Sequence, residues 1–247
     1  MSISEVKIIL VEPAGPLNVG SVARVMKNFG LNQLVLVNPQ CDRLGDEAKL
    51  MAVRARDILE TAVVVDTLPQ ALQGCRHAIA TTGTDHDLNV PLESPRTALP
   101  WLLQTVGQPA ALIFGREDRG LTNQELNYAQ RFVRIPSSNE YTSLNLASAV
   151  GVCCYELAQS VVNTDPQHTS PETELAQMEV VESYYQQLES LLLDIGFLYP
   201  HTASSRMEKF RQLYNRAQLR TQELSMLRGI LRQLRWSLRN KNNQQDL

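Results

Sequence analysis

Apolar and polar positions alternate along the first two thirds of the chain in blocks typical of strands and helices in turn. Two short β-rich runs, Val6–Val11 and Leu34–Val37, flank a helical segment, which is the layout of a βαβ unit. Further apolar runs predict strands at Val63–Val65, His77–Thr81, Ala110–Phe114 and Phe132–Ile135. The alternation predicts an α/β fold, with a mostly parallel sheet covered by helices on both faces.

Two longer helices are expected within this region. One should begin near Arg96 and end near Gly107. The other is the apolar segment Leu144–Val161, for which Ser143 or Thr142 is available as the N-cap. Its apolar positions cover enough of its circumference to suit either a buried core or the interface of a homodimer.

The pattern changes after residue 162. Residues 163–170 are polar and turn-forming, so they predict a linker. Beyond it the sequence is helical throughout, with an N-cap signal at Ser170–Pro171 and a capping box at Ser205–Glu208. The expected organisation is therefore an α/β domain over residues 1–162 and a small all-helical domain over residues 171–247.

Composition narrows the class of protein. The 247 residues are 43% hydrophobic and 20% charged, as in soluble globular proteins. No apolar run approaches membrane-spanning length, and Met1–Val6 is too polar for a signal peptide, so we expect a cytoplasmic protein without a membrane partner. The four cysteines show no C-x-x-C spacing, and Cys153 and Cys154 fall in the apolar helix. Buried free thiols are favoured over zinc ligands or disulfides, and no metal is predicted.

The net charge of −3 conceals a strong segregation of charge. No lysine or arginine lies between Arg134 and Arg206, whereas residues 206–241 hold ten basic residues and two acidic ones. Four of the basic residues recur at helical spacing: Arg228, Arg232, Arg235 and Arg239. Such a stripe suits contact with nucleic-acid phosphates, although a solvated face or packing against the acidic segment that precedes it would explain the same pattern.

The candidate chemistry lies where the Ala110–Phe114 strand ends. Gly115 opens a charged loop in which Gly120 can adopt a positive φ, and the later polar loop runs directly into the apolar helix. Free N–H groups at a helix start favour an electron-rich ligand, so a small-molecule site is expected at the carboxyl end of the sheet. The sequence holds neither G-x-G-x-x-G nor a P-loop, which disfavours nicotinamide and P-loop nucleotide sites.

Three segments resemble, in order, the motifs of a known family. They are NVGSVAR from Asn18 to Arg24, FGREDRGL from Phe114 to Leu121, and the stretch from Ile135 to TSLN at Thr142–Asn145. Together they are similar to the SPOUT class of S-adenosylmethionine-dependent RNA methyltransferases, in its TrmH-like branch. The resemblance implies a SPOUT-type sheet with a C-terminal trefoil knot. It also implies a homodimer, and methyl transfer to a ribose 2′-hydroxyl of tRNA at position 32 of the anticodon loop.

The resemblance also implies roles for individual residues. Arg24 would clamp the target phosphate and stabilise the developing alkoxide, with a role as base left open because a guanidinium stays protonated at neutral pH. Asn18, Glu117 and Ser143 would support the reaction, Glu117 by orienting a loop or a partner chain. Arg116 and Asn145, with the stripe Arg228, Arg232, Arg235 and Arg239, would contact RNA. The cofactor would be held by Thr81, Thr82, Gly83, Gly115, Ile135, Thr142, Ser143 and Leu144.

Each motif residue has a structural alternative. Asn18 could cap a helix, Arg24 and Glu117 could form an exposed ion pair, and Ser143 could be only an N-cap. At the level of function, a ribosomal RNA 2′-O-methyltransferase, a non-catalytic RNA-binding protein and a Rossmann-type nucleotide enzyme are the competing hypotheses. The joint occurrence of three ordered motifs favours the tRNA methyltransferase.

Overall fold

The computed structural model describes residues 3–83, 91–104, 108–138, 140–162 and 175–245, except for the side chains of residues 239 and 241–245. Its strands are β1 Val6–Val11, β2 Gln33–Val37, β3 Val63–Val65, β4 His77–Thr81, β5 Leu92–Glu93, β6 Ala110–Phe114 and β7 Arg131–Val133. They form one sheet in the order β3-β2-β1-β6-β4-β7-β5, and every pairing is parallel. The α/β prediction is confirmed, and the short edge strand β5 was not predicted.

The helices up to residue 162 are α1 Pro16–Asn28, α2 Asp46–Ala52, α3 Arg56–Thr61, α4 Leu68–Ala71, α5 Pro95–Ala98, α6 Asn123–Leu126 and α7 Leu146–Val162. Those that follow are α8 Met178–Asp194, α9 Ala203–Ala217 and α10 Thr221–Gln245. The second part of the described chain is thus helical, as expected. The linker at 163–170 and the cap signal at Ser170–Pro171 lie outside the described residues.

The centre of the sheet is buried on both faces. Ile8 of β1 lies in register with Leu112 of β6, and the neighbouring Ile9 with Ile113; all four are fully buried. Because successive side chains point to opposite faces, Ile8 and Ile9 enter different cores. One core packs against α1, α2, α3 and α7, and the other against α4 and α6. Helices therefore cover both faces, as predicted.

One glycine sets how closely α1 approaches α2. A Cβ at Gly20 would lie 2.1 Å from the backbone oxygen of Ala48, so only glycine fits at this helix contact. Gly20 belongs to the first motif, yet its role here is in packing. The resulting contact fixes α1, which carries Asn18 and Arg24, on the sheet.

The C-terminal helices pack against the sheet at the amino-terminal ends of its strands. The N–H of Met178 donates to the carbonyl of Cys75, just before β4, at 2.8 Å. Asn215 of α9 donates from Nδ2 to the carbonyls of Asn127 and Ala129, just before β7, at 3.0 and 3.1 Å. These helices thus lie at the end of the sheet opposite to the carboxyl-terminal ends of the strands.

Two predicted helix boundaries are wrong. The helix expected from Arg96 to Gly107 is α-helical only to Ala98 and continues as a 3₁₀ helix, Leu99–Leu103, because Pro100 supplies no N–H for a regular turn; Gly107 lies outside the described residues. The capping box at Ser205–Glu208 does not form, since α9 already begins at Ala203.

Candidate cofactor cleft and active site

A cleft of about 630 Å³, including its open mouth, lies at the carboxyl-terminal ends of β4, β6 and β7. The sequence-predicted cofactor residues line it together: Thr81, Thr82, Gly83, Gly115, Ile135, Thr142, Ser143 and Leu144. Arg116 and Glu117 complete its polar side. Sequence reasoning missed the apolar lining from Phe114, Val133, Leu146 and Ala149, whose signal would have been their position at strand ends and at the helix start. An apolar slot with a few polar groups is the usual form of a small-molecule site.

A chain of hydrogen bonds joins the three motifs beside this cleft. Nδ2 of Asn18 donates to Oε1 of Glu117 at 3.1 Å, and Nδ2 of Asn145 donates to Oδ1 of Asn18 at 2.9 Å. We call Glu117, Asn18 and Asn145 the polar relay. It holds the loop after β6, the start of α1 and the start of α7 in one arrangement.

Glu117 also fixes the loop that precedes α1. Its two carboxylate oxygens accept hydrogen bonds from the backbone N–H groups of Ala14 and Gly15, each at 3.0 Å. Burial opposes ionisation, but these bonds and that from Asn18 outweigh it, so the pKa of the Glu117 carboxyl lies below its usual value. Within its own chain, Glu117 thus holds the loop before α1. The alternative of an ion pair with Arg24 is wrong.

The start of α7 differs from the prediction. Asn145, not Ser143 or Thr142, caps the helix: its Oδ1 accepts from the N–H of Ala147 at 2.9 Å. Because both ends of its amide are engaged within the chain, Asn145 positions the site, and its predicted contact with RNA has no support. The structural alternative for Asn18 is also wrong, since it lies inside α1 and not at its cap.

Ser143 is left available by this arrangement. Its side chain is exposed at the cleft and makes no hydrogen bond among the described residues. The neighbouring loop is tied down separately, since the Ser137 hydroxyl donates to the carbonyl of Thr142 at 2.9 Å. Ser143 therefore presents a free hydroxyl from a fixed backbone.

Gly115 is required by the backbone that faces it. A Cβ there would lie 2.1 Å from the carbonyl carbon of Gly120 and 2.3 Å from the nitrogen of Leu121. The turn closes through the N–H of Gly120, which donates to the carbonyl of Arg116 at 2.8 Å, and Gly120 adopts the expected positive φ of 70°. The close approach of the two loop arms is what brings the Gly115 backbone to the cleft.

The charged residues of this loop have separate partners. Arg116 lies 3.0 Å from Asp118 as an ion pair. Arg119 instead bridges Glu12 at 2.8 Å and Glu125 at 3.1 Å, so it braces the loop against the end of β1 and against α6. Arg119 is thus structural, whereas Arg116 lines the cleft.

Arg24 is not brought to the cleft of its own chain. It is exposed on α1, does not line the cleft and has no partner among the described residues. It shares the outward side of α1 with Leu17, which is 48% exposed, because residues seven apart in a helix lie on nearly the same face. The described chain therefore assembles the cleft and leaves Arg24 facing outward.

The arginine stripe is partly a structural feature. Arg228, Arg232 and Arg235 line one groove with Trp236 on α10. Arg235 donates from Nη2 to the carbonyl of Gln187 on α8 at 3.1 Å, so this residue anchors two helices. Arg228 and Arg232 remain open for contact with a partner, and the side chain of Arg239 lies outside the described set.

Among the described residues, no helix is both long and apolar enough to cross a membrane. Within the same ranges, no group of three or more His, Cys, Asp or Glu side chains is placed to hold a metal ion. All four cysteines are free thiols, and Cys75, Cys153 and Cys154 are buried.

Family models match both parts of the chain. The SpoU rRNA Methylase family matches residues 5–155, and the C-terminal domain of the tRNA methyltransferase TrmJ matches residues 179–246. The fold and cleft thus define a methyltransferase of the SpoU class, in agreement with the resemblance found in the motifs.

Individual relatives identify the family within this class. The chain is 41% identical over 240 residues to the tRNA (cytidine/uridine/adenosine-2′-O-)-methyltransferase TrmJ of Pseudomonas aeruginosa, covering 93% of each chain. The crystal structure of TrmJ from Z. mobilis superposes with a TM-score of 0.83 at 30% identity, covering 93% of this chain and 98% of that one. The chain belongs to the TrmJ family of tRNA 2′-O-methyltransferases.

A more distant neighbour shares the fold alone. The SpoU methyltransferase AviRb of Streptomyces viridochromogenes, crystallised in complex with AdoMet, has a TM-score of 0.51 at 19% identity and covers 64% of this chain. The fold thus occurs in a SpoU methyltransferase that was crystallised with AdoMet.

Proposed function

We propose that this protein transfers a methyl group from S-adenosylmethionine to a ribose 2′-hydroxyl of tRNA, at position 32 of the anticodon loop. The observation that carries the proposal is that the second and third motifs line one cleft, and that the polar relay ties the first motif to both of them. The tRNA substrate is supported by the names of the TrmJ relatives, and the position in the loop by the motif resemblance.

The cleft suits S-adenosylmethionine. Its apolar side, from Val133, Ile135 and Leu144, can take an adenine ring, while backbone groups near Gly83 and Gly115 can read its edge. The ionised carboxylate of Glu117 lies among the lining residues, where it favours a positively charged cofactor. Bound there, the cofactor supplies an electrophilic methyl group on a sulfonium.

The protein's own part is then to position the acceptor 2′-hydroxyl, whose proton passes to solvent water as the oxygen takes the methyl group. Arg24 clamps the target phosphate and stabilises the negative charge that develops on the 2′-oxygen, because its guanidinium stays protonated. Ser143, with its free hydroxyl at the cleft, hydrogen-bonds the ribose or the cofactor. Asn18, Glu117 and Asn145 act by holding the three loops in register.

A homodimer would bring Arg24 to a cleft. Arg24 faces away from the cleft of its own chain, and α7 exposes Tyr155, Val161 and Val162 by 46%, 37% and 78%. We propose that two chains pair so that Arg24 of each serves the cleft of the other. Leu157, by contrast, is fully buried within one chain, so a substitution there tests folding and not pairing.

The C-terminal helices are proposed to hold tRNA through phosphates contacted by Arg228, Arg232 and Arg239, with Arg235 supporting the helix pair. The domain boundaries at 162 and 171, the trefoil knot of the methyltransferase domain and a cytoplasmic location are part of the same proposal. They rest on the sequence pattern and the resemblance.

The substrate assignment is tested with tRNA in which single riboses lack the 2′-hydroxyl. Transfer of labelled methyl from S-adenosylmethionine should be lost when the 2′-deoxy nucleotide is at position 32, and should persist when it is at a neighbouring loop position. Methylation of the tRNA substituted at position 32 would refute the assigned site. Methylation of ribosomal RNA but not of tRNA would favour the competing substrate.

The shared active site is tested by mixing two inactive variants. Arg24→Ala keeps an intact cleft, and Ser143→Trp fills the cleft but keeps Arg24. If Arg24 acts across the dimer, co-refolding the two should restore activity in the mixed dimer, because one cleft then meets one Arg24. No gain over the separate variants, with mixed dimers verified by mass spectrometry, would place Arg24 in its own chain's site.

A further inference from the structure

The turn between α8 and α9 exposes two aromatic rings. Phe197 is 51% exposed and Tyr199 is 56% exposed, whereas Leu198 between them is 1% exposed. The alternation places both rings on the outward side of the turn, while Leu198 anchors it in the core of the helical domain. No part of the cofactor cleft or of the arginine stripe includes these rings.

The turn is held in a defined shape. Gly196 adopts a φ of 74°, and the N–H groups of Phe197 and Leu198 both donate to the carbonyl of Leu192, at 2.9 and 3.0 Å. The N–H of Thr202 donates to the carbonyl of Tyr199 at 2.9 Å. The rings are thus presented from a fixed backbone, which lowers the entropic cost of binding to them.

Each ring has a cationic or heteroaromatic neighbour. The guanidinium of Arg206 lies 5.9 Å from the ring centre of Phe197. The imidazole of His201 stacks on Tyr199, with ring centres 6.0 Å apart and planes inclined by 23°. Aromatic faces beside a guanidinium are the usual platform for an unpaired nucleobase, since the base stacks and its phosphate meets the charge.

The charge around the turn has the sign that RNA requires. Residues 194–222 hold five basic side chains, at Arg206, Lys209, Arg211, Arg216 and Arg220, and two acidic ones, Asp194 and Glu208. Arg211 is paired with Glu182, so the other four basic side chains give the surface its positive charge. Arg206 is exposed and makes no ion pair among the described residues. The positive charge would not strengthen binding of an apolar protein surface, whereas it would strengthen binding of a phosphate backbone.

We propose that Phe197 and Tyr199 form a stacking platform for unpaired nucleotides of the tRNA substrate, with Arg206 contacting the adjoining phosphate. The inference rests on the proposed tRNA methyltransferase function and extends it to a second RNA contact, away from the cofactor cleft. The platform reads single-stranded RNA by stacking, so it selects unpaired loop or terminal nucleotides and not a base sequence.

The test compares ring removal with ring replacement. Phe197→Ala and Tyr199→Ala should each weaken tRNA binding about 5- to 150-fold and raise the KM for tRNA accordingly, while kcat at saturating tRNA and the affinity for S-adenosylmethionine stay unchanged. Phe197→Trp should retain binding, and Phe197→Leu, which keeps the apolar bulk but not the π-face, should lose it. Ile195→Ala is the matched control, because Ile195 is an equally exposed aliphatic residue in the same turn.

The salt dependence separates the two parts of the platform. The ring variants should keep the wild-type slope of log K for tRNA binding against log salt concentration. Arg206→Ala should reduce the magnitude of that slope by about 0.7–0.9, because one phosphate contact is lost. The proposal would be overturned if Phe197→Leu, Phe197→Trp and Ile195→Ala all lost the same amount of tRNA affinity. It would also be overturned if the variants changed the sedimentation of the protein without changing its tRNA affinity, because the turn would then be a protein-binding surface.

Failure of the platform differs from failure of the proposed function. A wild-type protein that does not methylate tRNA refutes the function itself. A wild-type protein that methylates tRNA, with variants whose KM for tRNA is unchanged, refutes only the platform.

Discussion

At the scale of single residues, Glu117 accepts three hydrogen bonds that only a carboxylate can accept together. In Glu117→Gln one oxygen becomes an NH₂ group that faces the backbone N–H of Ala14 or Gly15. We expect the free energy of unfolding to fall by about 1–3 kcal/mol, because a donor is left without an acceptor, and cofactor binding to weaken with it. Chemical denaturation and calorimetric titration measure both, and Asp118→Asn in the same loop is the control.

The same carboxylate predicts a pH dependence. The pKa of Glu117 is lower in the folded than in the unfolded chain, so its contribution to stability is complete above the unfolded pKa and is lost as pH falls through the folded pKa. The stabilities of wild type and Glu117→Gln should therefore converge in acid. A constant difference at all pH values would contradict the relay's dependence on charge.

His77 predicts a second effect of pH. The residue is fully buried, its Nδ1 lies 3.0 Å from the carbonyl of Trp101, and its ring stacks on that of Trp101 with centres 3.5 Å apart. Burial lowers its pKa from 6.5 to about 4, since a charged imidazole would be desolvated. The unfolded chain then binds the proton between these values, and stability should fall by up to about 3 kcal/mol as pH drops from 6.5 towards 4.

The measurement for His77 is urea unfolding across this pH range. His77→Phe keeps a stacked ring on Trp101 but cannot titrate, so its stability should vary less with pH over the same interval. An unchanged slope in His77→Phe would assign the effect to other groups.

Sequence reasoning identified most residues that line the cleft, but it described the contacts of the polar residues less well. The lining residues occur at strand ends and in ordered motifs, and both features are visible in a sequence. The role of Asn145 is not visible in the sequence. Its bond to Asn18 joins residues that are far apart in the chain, and its bond to the N–H of Ala147 depends on where α7 begins.

At the scale of elements, Asn145 performs two separable tasks. Asn145→Ala removes both the cap of α7 and the bond to Asn18, and should cost about 0.5–2 kcal/mol of stability for the cap alone. Asn145→Asp keeps a capping oxygen but loses the donor to Asn18. We therefore expect Asn145→Asp to retain more stability than Asn145→Ala while methyl transfer falls in both; full activity of Asn145→Asp would separate the relay from function.

The contact between α1 and α2 depends on Gly20. Gly20→Ala would place a Cβ 2.1 Å from the backbone oxygen of Ala48, so the helices must separate, at a cost of at least about 1–3 kcal/mol. Gly229 in α10 is the matched control: a Cβ added there would meet no atom within 4 Å, and Gly229→Ala should stabilise the helix by up to about 1 kcal/mol. Thermal unfolding of both variants tests the difference, and a neutral Gly20→Ala would contradict it.

Strands were predicted more accurately than short helices. β1, β3, β4 and β6 have the predicted bounds. For β1, β4 and β6 the reason is that a buried parallel strand is a compact apolar run with polar residues at its ends. β3 is instead an exposed edge strand, and its run of three β-branched valines is what marks it in the sequence. The two-residue strand β5 and the four-residue helices α4 to α6 carry too few positions to show a period. Their conformation is set by neighbouring elements and by residues such as Pro100.

At the scale of the whole molecule, Asn215 joins the two parts of the chain. It is buried, accepts the hydroxyl hydrogen bond of Tyr185 at 2.8 Å and donates to the carbonyls of Asn127 and Ala129. Asn215→Ala leaves these groups without partners, and we expect a loss of at least about 2 kcal/mol and earlier proteolytic release of the helical part. Leu213→Ala, at an exposed position of the same helix, should have neither effect; equal behaviour of the two variants would show that docking does not depend on Asn215.

This docking could not be read from the sequence. The change in pattern after residue 162 marks a second unit, and the basic stripe marks one of its faces, but neither specifies which edge of the sheet it meets. The choice depends on single polar residues, among them Asn215 and Glu179, whose partners are backbone groups that any sequence supplies.

The polar relay also bears on protein synthesis. The bond from Asn18 to Glu117 spans 99 positions of the chain, and the bond from Asn145 to Asn18 spans 127. Glu117 and Asn145 must therefore both have left the ribosome before Asn18 has its partners. The cleft can consequently be completed only once the chain has been made as far as α7, later than the pairing of β1 with β2. A chain that ends before α7 lacks Leu146 and Ala149 of the cleft lining, so its cleft stays incomplete.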